Sequence, residues 1–212
     1  MNNAAPQQWK QQQRARLREL RQQVSTVQRM LWSDAITAVL TQEFSFLKKQ
    51  QIGFYWPHQG EYDPIPAMIF LRKHGATLAL PEVVSKDEPL RFIEWWPEAP
   101  MKKDIYGIPF PDSTRRITID SIIIPLLGFD EQGYRLGYGS GYFDRTLAAM
   151  NPRPLAIGVA FEILRLQTIH PQQHDIPMDY IVTERSILHR TDTGLVSLTV
   201  PICATRNSLI RD

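Results

Sequence analysis

"SIIIPLLGFDEQGYRLGYGSGYFDR", residues 121–145, decides how the chain is read. It opens on a continuous apolar run, Ser121 to Leu127, the pattern of a strand buried on both faces of a parallel sheet, and Pro125 marks its end. It closes on glycine at every second position, Gly137, Gly139 and Gly141, followed at once by a helix from about Tyr142 to Met150. A glycine-rich turn between a buried strand and a helix belongs at the carboxyl end of a parallel strand, where α/β sheets bind ligands. Loss of side chains there bares successive backbone N–H groups and permits positive φ, so the chain can wrap an anion that also meets the amino end of the helix. The spacing is neither GxGxxG nor GxxxxGK[ST]. Alone it indicates an anion-binding loop, phosphate being the natural guest, with tight packing as the alternative.

Outward from this stretch the elements alternate. Leu17, Leu20, Val24, Val27 and Leu31 recur at spacings of three and four, which predicts one amphipathic helix from Gln7 to about Met30; Ser33-Asp34 would cap a second, running to about Gln50. "QIGFYW" (51–56) reads as a strand, "PIPAMIFLRKHG" (64–75) as a helix opened by proline and closed by glycine, and "ATLALPEV" and "PLRFIEWW" (89–96) as strands. Residues 97–116, rich in proline and charge, predict an exposed loop. Beyond the glycine stretch, "PLAIGVA" (154–160) and "DYIVTE" (179–184) are further strands. The expectation is a single α/β domain over residues 1–212, with amino-terminal helices over about 7–50, a body over about 51–200, and a mainly parallel central sheet flanked by helices.

Composition narrows the function. Among 212 residues, 43% apolar, the net charge is only +2, which favours neither a nucleic-acid binder nor a membrane adaptor; any basic chemistry is local. The single cysteine, Cys203, excludes an internal disulfide framework and a multi-thiolate zinc site, and fits a reducing, cytoplasmic setting. No apolar run is long enough to span a membrane. The amino end is Arg-rich and acid-poor like some transit peptides.

The string from Ile124 to Arg145 resembles the signature of the 5-formyltetrahydrofolate cyclo-ligase family: Pro, a few apolar or small residues, Phe-Asp, a turn with Gly, then Arg-Leu-Gly-x-Gly-x-Gly-Tyr-Tyr-Asp. Pro125, Phe129-Asp130, Gly133, Arg135-Leu136-Gly137, Gly139, Gly141-Tyr142 and Asp144 are the counterparts here. Phe143 replaces the second tyrosine. Tyr138 and Ser140 stand where some members carry arginine and lysine, so phosphate charge has to be met elsewhere. In "WKQQQR" Lys10 and Arg14 match the family's amino-terminal Lys-x-x-x-Arg spacing. On a helix Lys10, Arg14, Leu17 and Arg21 fall nearly in one row beside the apolar stripe, which lets long cations lie over the protein body and reach a phosphate. A cleaved leader would not carry part of a site. "IGFYWPHQGEYD" (52–63) resembles a strand and substrate loop ending at Gly60-Glu61, and a carboxylate suits the row of donors on a reduced pterin; Trp56 could form a wall. In "HPQQHDIPMDYIVTE", Asp175 stands at the position associated with metal, with Asp179 in reserve; His170 and His174 lack a credible third ligand for zinc.

This resemblance implies a fold like that of glucosamine-6-phosphate deaminase and ribose-5-phosphate isomerase. It implies conversion of 5-formyltetrahydrofolate and MgATP to 5,10-methenyltetrahydrofolate, ADP and phosphate, with the γ-phosphoryl group placed first on the formyl oxygen. The residues so implied are Lys10, Arg14, Arg135, Leu136, Gly137, Tyr138, Gly139, Ser140, Gly141, Tyr142 and Phe143 for ATP. Trp56, Glu61, Tyr138, Gly139, Ser140, Gly141 and Tyr142 fall to the folate, Asp144 and Asp175 to Mg²⁺, and Arg135 and Tyr142 to catalysis. Arg135 is favoured over Arg145 for phosphate, because Arg145 could pair with a carboxylate; Lys102, Lys103, Arg115 and Arg116 are candidates for a polyglutamate tail. A relative of altered substrate, or one that binds folate or nucleotide without catalysis, is the alternative on the same fold. An RNA-binding module built on the Arg-rich helix and the aromatics of 54–62 finds no support in the near-neutral charge.

Overall fold

The structure, a computed structural model, describes residues 4–198; Cys203 and the end of the expected body lie outside the described residues. In chain order it contains α1 (Ala4–Gln23), α2 (Thr26–Gln42), β1 (Gln51–Gly53), α3 (Ile65–Lys73), β2 (Thr77–Glu82), β3 (Arg91–Trp95), β4 (Met101–Lys103) and β5 (Pro109–Pro111). There follow β6 (Ser121–Pro125), β7 (Gly128–Phe129), β8 (Arg135–Leu136), α4 (Tyr142–Ala149), β9 (Leu155–Val159), β10 (Tyr180–Val182), β11 (Ile187–Thr191) and β12 (Gly194–Leu198). The main sheet runs β12-β11-β10-β9-β6-β1-β2-β3. From β10 to β2 neighbouring strands are parallel; β3 at one edge and β11 and β12 at the other are antiparallel.

β6 shows why the sheet is covered on both sides. Ile122, Ile123 and Ile124 are all fully buried, and successive side chains of a strand point to opposite faces. Ile123 joins Leu17 of α1, Ile36 and Leu40 of α2 and Met68 of α3, whereas Ile122 and Ile124 join Leu147 of α4. Each such side chain contributes about 1.5–3 kcal/mol by leaving water, so an uninterrupted apolar strand is stable only between two layers.

The first helix departs from its predicted course. It breaks at Val24-Ser25, where Ser25, with a non-helical ψ of 152°, accepts a hydrogen bond on Oγ from the Gln28 N–H at 3.2 Å and caps α2. Ser33 and Asp34, the expected cap, lie inside α2, which ends at Gln42 before a short 3₁₀ turn over Ser45–Lys49. The break lets each helix turn its own face to the sheet. Val27 and Leu31 of the supposed apolar stripe, and Met30 beside them, therefore point outward, while α2 packs through Ile36, Val39 and Leu40 and α1 through Lys10, Leu17 and Arg21. Two smaller departures follow from pairing that local pattern cannot show. Inside the supposed loop of 97–116, β4 and β5 form a hairpin, and residues 187–198, to which the pattern assigns no strand, close the sheet as β11 and β12.

Candidate functional site

β7 and β8 form a two-stranded ribbon at the carboxyl end of β6, and its turn is organised by Asp130. One oxygen of this buried carboxylate accepts the N–H groups of Gln132 and Tyr134, and the other that of Ile169, each at 3.0 Å. Phe129 beside it is fully buried and Gly133 takes φ +85°. The Phe-Asp and Gly elements of the motif thus build the frame, and the glycine loop hangs from it.

The loop leads into α4 through two left-handed residues. Gly139 has φ +108°, and Gly141, the residue capping α4, has φ +66°; Gly137 has no such φ and open space where a Cβ would lie. Leu136 is in the core and Phe143 packs against the cluster beneath α4, so these two face away from the cleft and bring only main-chain groups to it. An open cleft of about 510 Å³ lies in front of α4, lined by Gly139, Ser140, Gly141, Asp144 and Arg145, by Asp87 from the β2–β3 connection, and by Gln173, His174 and Ile176. Bare amides, a helix amino end and a cation beside one open volume are what a polyphosphate requires.

Helix α1 reaches this loop from the other side. Arg14 donates from Nε to the Gly137 carbonyl at 2.8 Å, and its guanidinium carbon would lie 3.4 Å from a Cβ on Gly139. Burial lowers the Arg14 pKa from its ordinary value, against the raising influence of Asp175. Lys10, itself buried, bonds Asp175 Oδ2 at 2.9 Å. Arg16 points to solvent and meets only Gln13, at 3.1 Å. If the loop binds ATP, as the motif resemblance implies, Arg14→Ala is expected to raise the KM for ATP by about tenfold or more, the size of a lost charge-assisted bond, and Arg16→Ala to leave it within about twofold. Equal effects on the ATP KM would remove Arg14 from the nucleotide site.

The structure gives the two loop arginines different surroundings. Arg135 is buried, with NH2 2.6 Å from Asp144 Oδ2 and NH1 donating to the Ile176 carbonyl at 2.9 Å. Arg145 lines the cleft instead, bonding the Ser140 carbonyl at 2.7 Å, lying over the Tyr142 ring at 5.0 Å and approaching Asp87 at only 4.0 Å. Strand β8 aims Arg135 inward, whereas position 145 lies one helical turn past the cap, on the exposed side of α4. Asp144 Oδ1 accepts the Ile176 N–H at 3.0 Å, and Asp175 Oδ2 accepts that of Gln172 at 2.8 Å, so both expected metal carboxylates are anchored to one segment beside the cleft. Asp179 is not among them: it bonds the Ala156 N–H and Arg153 at the amino ends of β9 and β10, the wrong end of the sheet for a ligand. His174 stands 3.8 Å from Asp175 and His170 packs edge-on to Trp9; among the described residues no three His, Cys, Asp or Glu gather as a metal cage.

On the far side of the loop, Glu61 is buried, with a side chain 4% exposed. Its Oε2 accepts the His58 N–H at 2.9 Å and its Oε1 the Tyr138 hydroxyl, while Arg21 donates to that same hydroxyl at 2.8 Å. Burial raises the Glu61 pKa, partly offset by the Tyr138 and His58 bonds and by Arg21. Trp56 packs half-buried against the core next to this loop. Tyr142 meets a residue that sequence reading passes over. Its hydroxyl lies 2.9 Å from that of Tyr106, at the tip of the β4–β5 hairpin, and this bond is the largest cause of a Tyr142 pKa raised to about 12. An exposed Ile-Tyr-Gly in a long charged loop was the available signal. Of the tail candidates in that region, Lys102 pairs with Asp112 and Arg115 with Glu94.

Residues 6–184 match the profile described as the 5-formyltetrahydrofolate cyclo-ligase family. The chain belongs to this family. A curated relative, 5-formyltetrahydrofolate cyclo-ligase of Haemophilus influenzae, is 25% identical over 176 residues, 80% of this chain and 94% of that protein. The solution structure of Aquifex aeolicus 5,10-methenyltetrahydrofolate synthetase superposes with a TM-score of 0.75 at 28% identity, covering 91% of this chain and 97% of that one. The Mycoplasma pneumoniae 5,10-methenyltetrahydrofolate synthetase, at 24% identity, shares the fold with a TM-score of 0.66 over 82% of this chain and 98% of its own. Family membership accounts for the motif residues that organise the loop; the cluster of Arg21, Tyr138 and Glu61 is read from this chain's own geometry.

Proposed function

We propose that this chain converts 5-formyltetrahydrofolate and MgATP to 5,10-methenyltetrahydrofolate, ADP and phosphate. One observation carries the reading: Tyr138, within the glycine loop that borders the cleft, hydrogen-bonds Glu61, so a phosphate cradle and a pterin-accepting carboxylate are adjacent. A buried carboxylate with free lone pairs matches the paired N–H donors of a reduced pterin. The amide-like formyl oxygen is a poor leaving group. Transfer of the γ-phosphoryl group to it creates a good one, N10 then attacks the formyl carbon, and phosphate departs with the formyl oxygen.

No side-chain nucleophile is needed, and the protein's part is alignment and charge. In this reading the amides of Gly139 to Gly141 and the amino end of α4 hold the phosphates, Arg145 and Arg14 supply positive charge, and Arg135 fixes Asp144. Tyr142, tied to Tyr106, borders the reacting formyl group. Lys10 and Asp175 complete the wall next to the segment of 172–176. Mg²⁺ commonly takes one or two protein carboxylates and completes its shell with phosphate and water, which Asp144 on the cleft, with Asp175 nearby, is suited to provide; when bound it neutralises phosphate charge.

An ATP-dependent rise in methenyltetrahydrofolate absorbance from 5-formyltetrahydrofolate tests the activity, and its absence with folded protein would leave an altered-substrate or binding relative. The route is tested by labelling. With substrate carrying ¹⁸O in the formyl group, inorganic phosphate is expected to retain one ¹⁸O per turnover. Unlabelled phosphate would refute activation of the formyl oxygen.

A further inference from the structure

Arg21 presents an anomaly that the nucleotide site does not absorb. It lies one turn beyond Leu17 on α1, its side chain is 1% exposed, and its nearest carboxylate oxygen, Glu61 Oε1, is 3.9 Å from NH1. A buried cation without a close ion pair is costly and calls for compensation by geometry. Its NH2 donates to the Tyr138 hydroxyl at 2.8 Å, and that hydroxyl passes its own proton toward Glu61 Oε1. The buried Nε has no hydrogen-bond partner among the described residues. Arg21 and Glu61 also share a small cavity of about 10 Å³, walled by Pro125 at the end of β6, by Leu126 after it, and by Ala160 and Phe161 after β9. These are the carboxyl ends of neighbouring parallel strands, where a ligand of this fold class sits.

We propose that Arg21 is a positioning residue for the folate: acting through the Tyr138 hydroxyl, it holds the Glu61 carboxylate in the orientation that receives the pterin. The inference rests on the assignment of Glu61 to the pterin made above. An ionised carboxylate offers about four lone-pair sites. The Tyr138 hydroxyl takes one on Oε1 and the His58 N–H takes one on Oε2, which leaves one on each oxygen for a pair of parallel donors. Without Arg21 the tyrosine hydroxyl has no donor to fix its rotation, and Oε1 is free to turn. Tyr138 stands on the glycine loop that Arg14 also grips, so α1 sets the folate carboxylate and the phosphate cradle together.

Charge adds to orientation. The groups around Glu61 are Arg21 on α1, Tyr138 on the glycine loop, Tyr55 after β1, and His58, Tyr62 and Asp63 on its own loop; Arg29 of α2 comes near Gly60. Burial raises the Glu61 pKa, and the Tyr138 bond, the His58 N–H and Arg21 lower it. Loss of Arg21 or of the Tyr138 hydroxyl therefore raises it further. Folate binding needs the carboxylate, so the acid limb of kcat/KM for the folate moves to higher pH in either variant.

The test is a double-mutant cycle read by steady-state kinetics across pH, with KM measured for 5-formyltetrahydrofolate and for ATP. Arg21→Met and Tyr138→Phe are each expected to raise the folate KM by about tenfold and to shift its acid limb upward, with smaller changes in kcat and ATP KM. Arg21→Lys should recover part of the loss. In a Glu61→Gln background, Arg21→Met and Tyr138→Phe should change the folate KM by less than about twofold, because the group they position no longer carries charge. Additive losses in that background, or an unmoved acid limb, would overturn the proposal and leave Arg21 a packing residue. Should Arg21→Met fail to fold, the Tyr138→Phe and Glu61→Gln cycle decides alone. If Glu61→Gln weakens the folate but the Arg21 and Tyr138 variants do not, only this inference fails; if Glu61→Gln has no effect on the folate, the pterin assignment itself fails.

Discussion

Gly141→Val is expected to lower kcat/KM by about a hundredfold or more while the protein remains folded. Gly141 takes φ +66° at the cap of α4, a conformation that costs a β-branched residue about 1–3 kcal/mol. In a chain of this size that cost lowers Tm by only about 2–12 °C. A Cβ at this position would also lie 2.9 Å from Arg145 NH1, and Arg145 must then give up its bond to the Ser140 carbonyl or its place over Tyr142. Strain in the turn and a displaced cation both strike the loop proposed to cradle phosphate. Gly139→Val, with φ +108° and its Cβ facing the Arg14 guanidinium at 3.4 Å, is expected to behave similarly. The loss in Gly137→Ala should be at least tenfold smaller, because that position has neither a left-handed φ nor a neighbour within 4 Å. Near-normal turnover in Gly141→Val, with circular dichroism and a melt showing folded protein, would remove the cradle assignment.

Asp144→Asn should combine a catalytic and a structural loss. The carboxylate faces Arg135 NH2 at 2.6 Å, and the arginine side chain is 5% exposed. Burial lowers the Arg135 pKa, and the charge and hydrogen bond of Asp144 are what oppose it. Neutralising Asp144 leaves a buried cation against an amide, a change worth up to about 3–5 kcal/mol for such pairs, which corresponds to a Tm fall of about 6–20 °C. Turnover should fall by about a hundredfold, with partial recovery at raised Mg²⁺ if the carboxylate also places the metal. Kinetics over a Mg²⁺ series beside a thermal melt separate the two effects. A Tm loss with unchanged Mg²⁺ dependence would restrict Asp144 to holding Arg135 and move the metal assignment to Asp175; Asp179, at the amino ends of β9 and β10, is no longer available for that role.

Much of the fold was legible because it depends on local pattern. An apolar strand such as 121–125, a proline at its end and glycines before a helix each impose conformations that hold whatever the rest of the chain does. Part of the turn is equally local: one oxygen of Asp130 accepts the N–H groups of Gln132 and Tyr134, although the other reaches Ile169. The first helix was misread for the opposite reason. Apolar spacing across Val24 and Ser25 is continuous, and only the Ser25 cap and the separate packing of α1 and α2 on the sheet show that the helix is broken.

By itself the sequence determined that the chain is an α/β domain with a glycine-rich loop between a buried strand and a helix, and that its motif residues are those of one enzyme family. Backbone conformation and periodicity are short-range properties, so a string of residues can specify them. Which charge faces which partner was decided by the tertiary structure alone. Arg135 and Arg145 stand ten residues apart with the same chemistry, yet one is buried against Asp144 and the other lines the cleft. Arg21, Glu61 and Tyr138 come from three separate segments, and their meeting is fixed only when α1 crosses the carboxyl ends of β6 and β9. Electrostatic roles depend on distance and on exclusion of water, and neither quantity exists until the chain has packed.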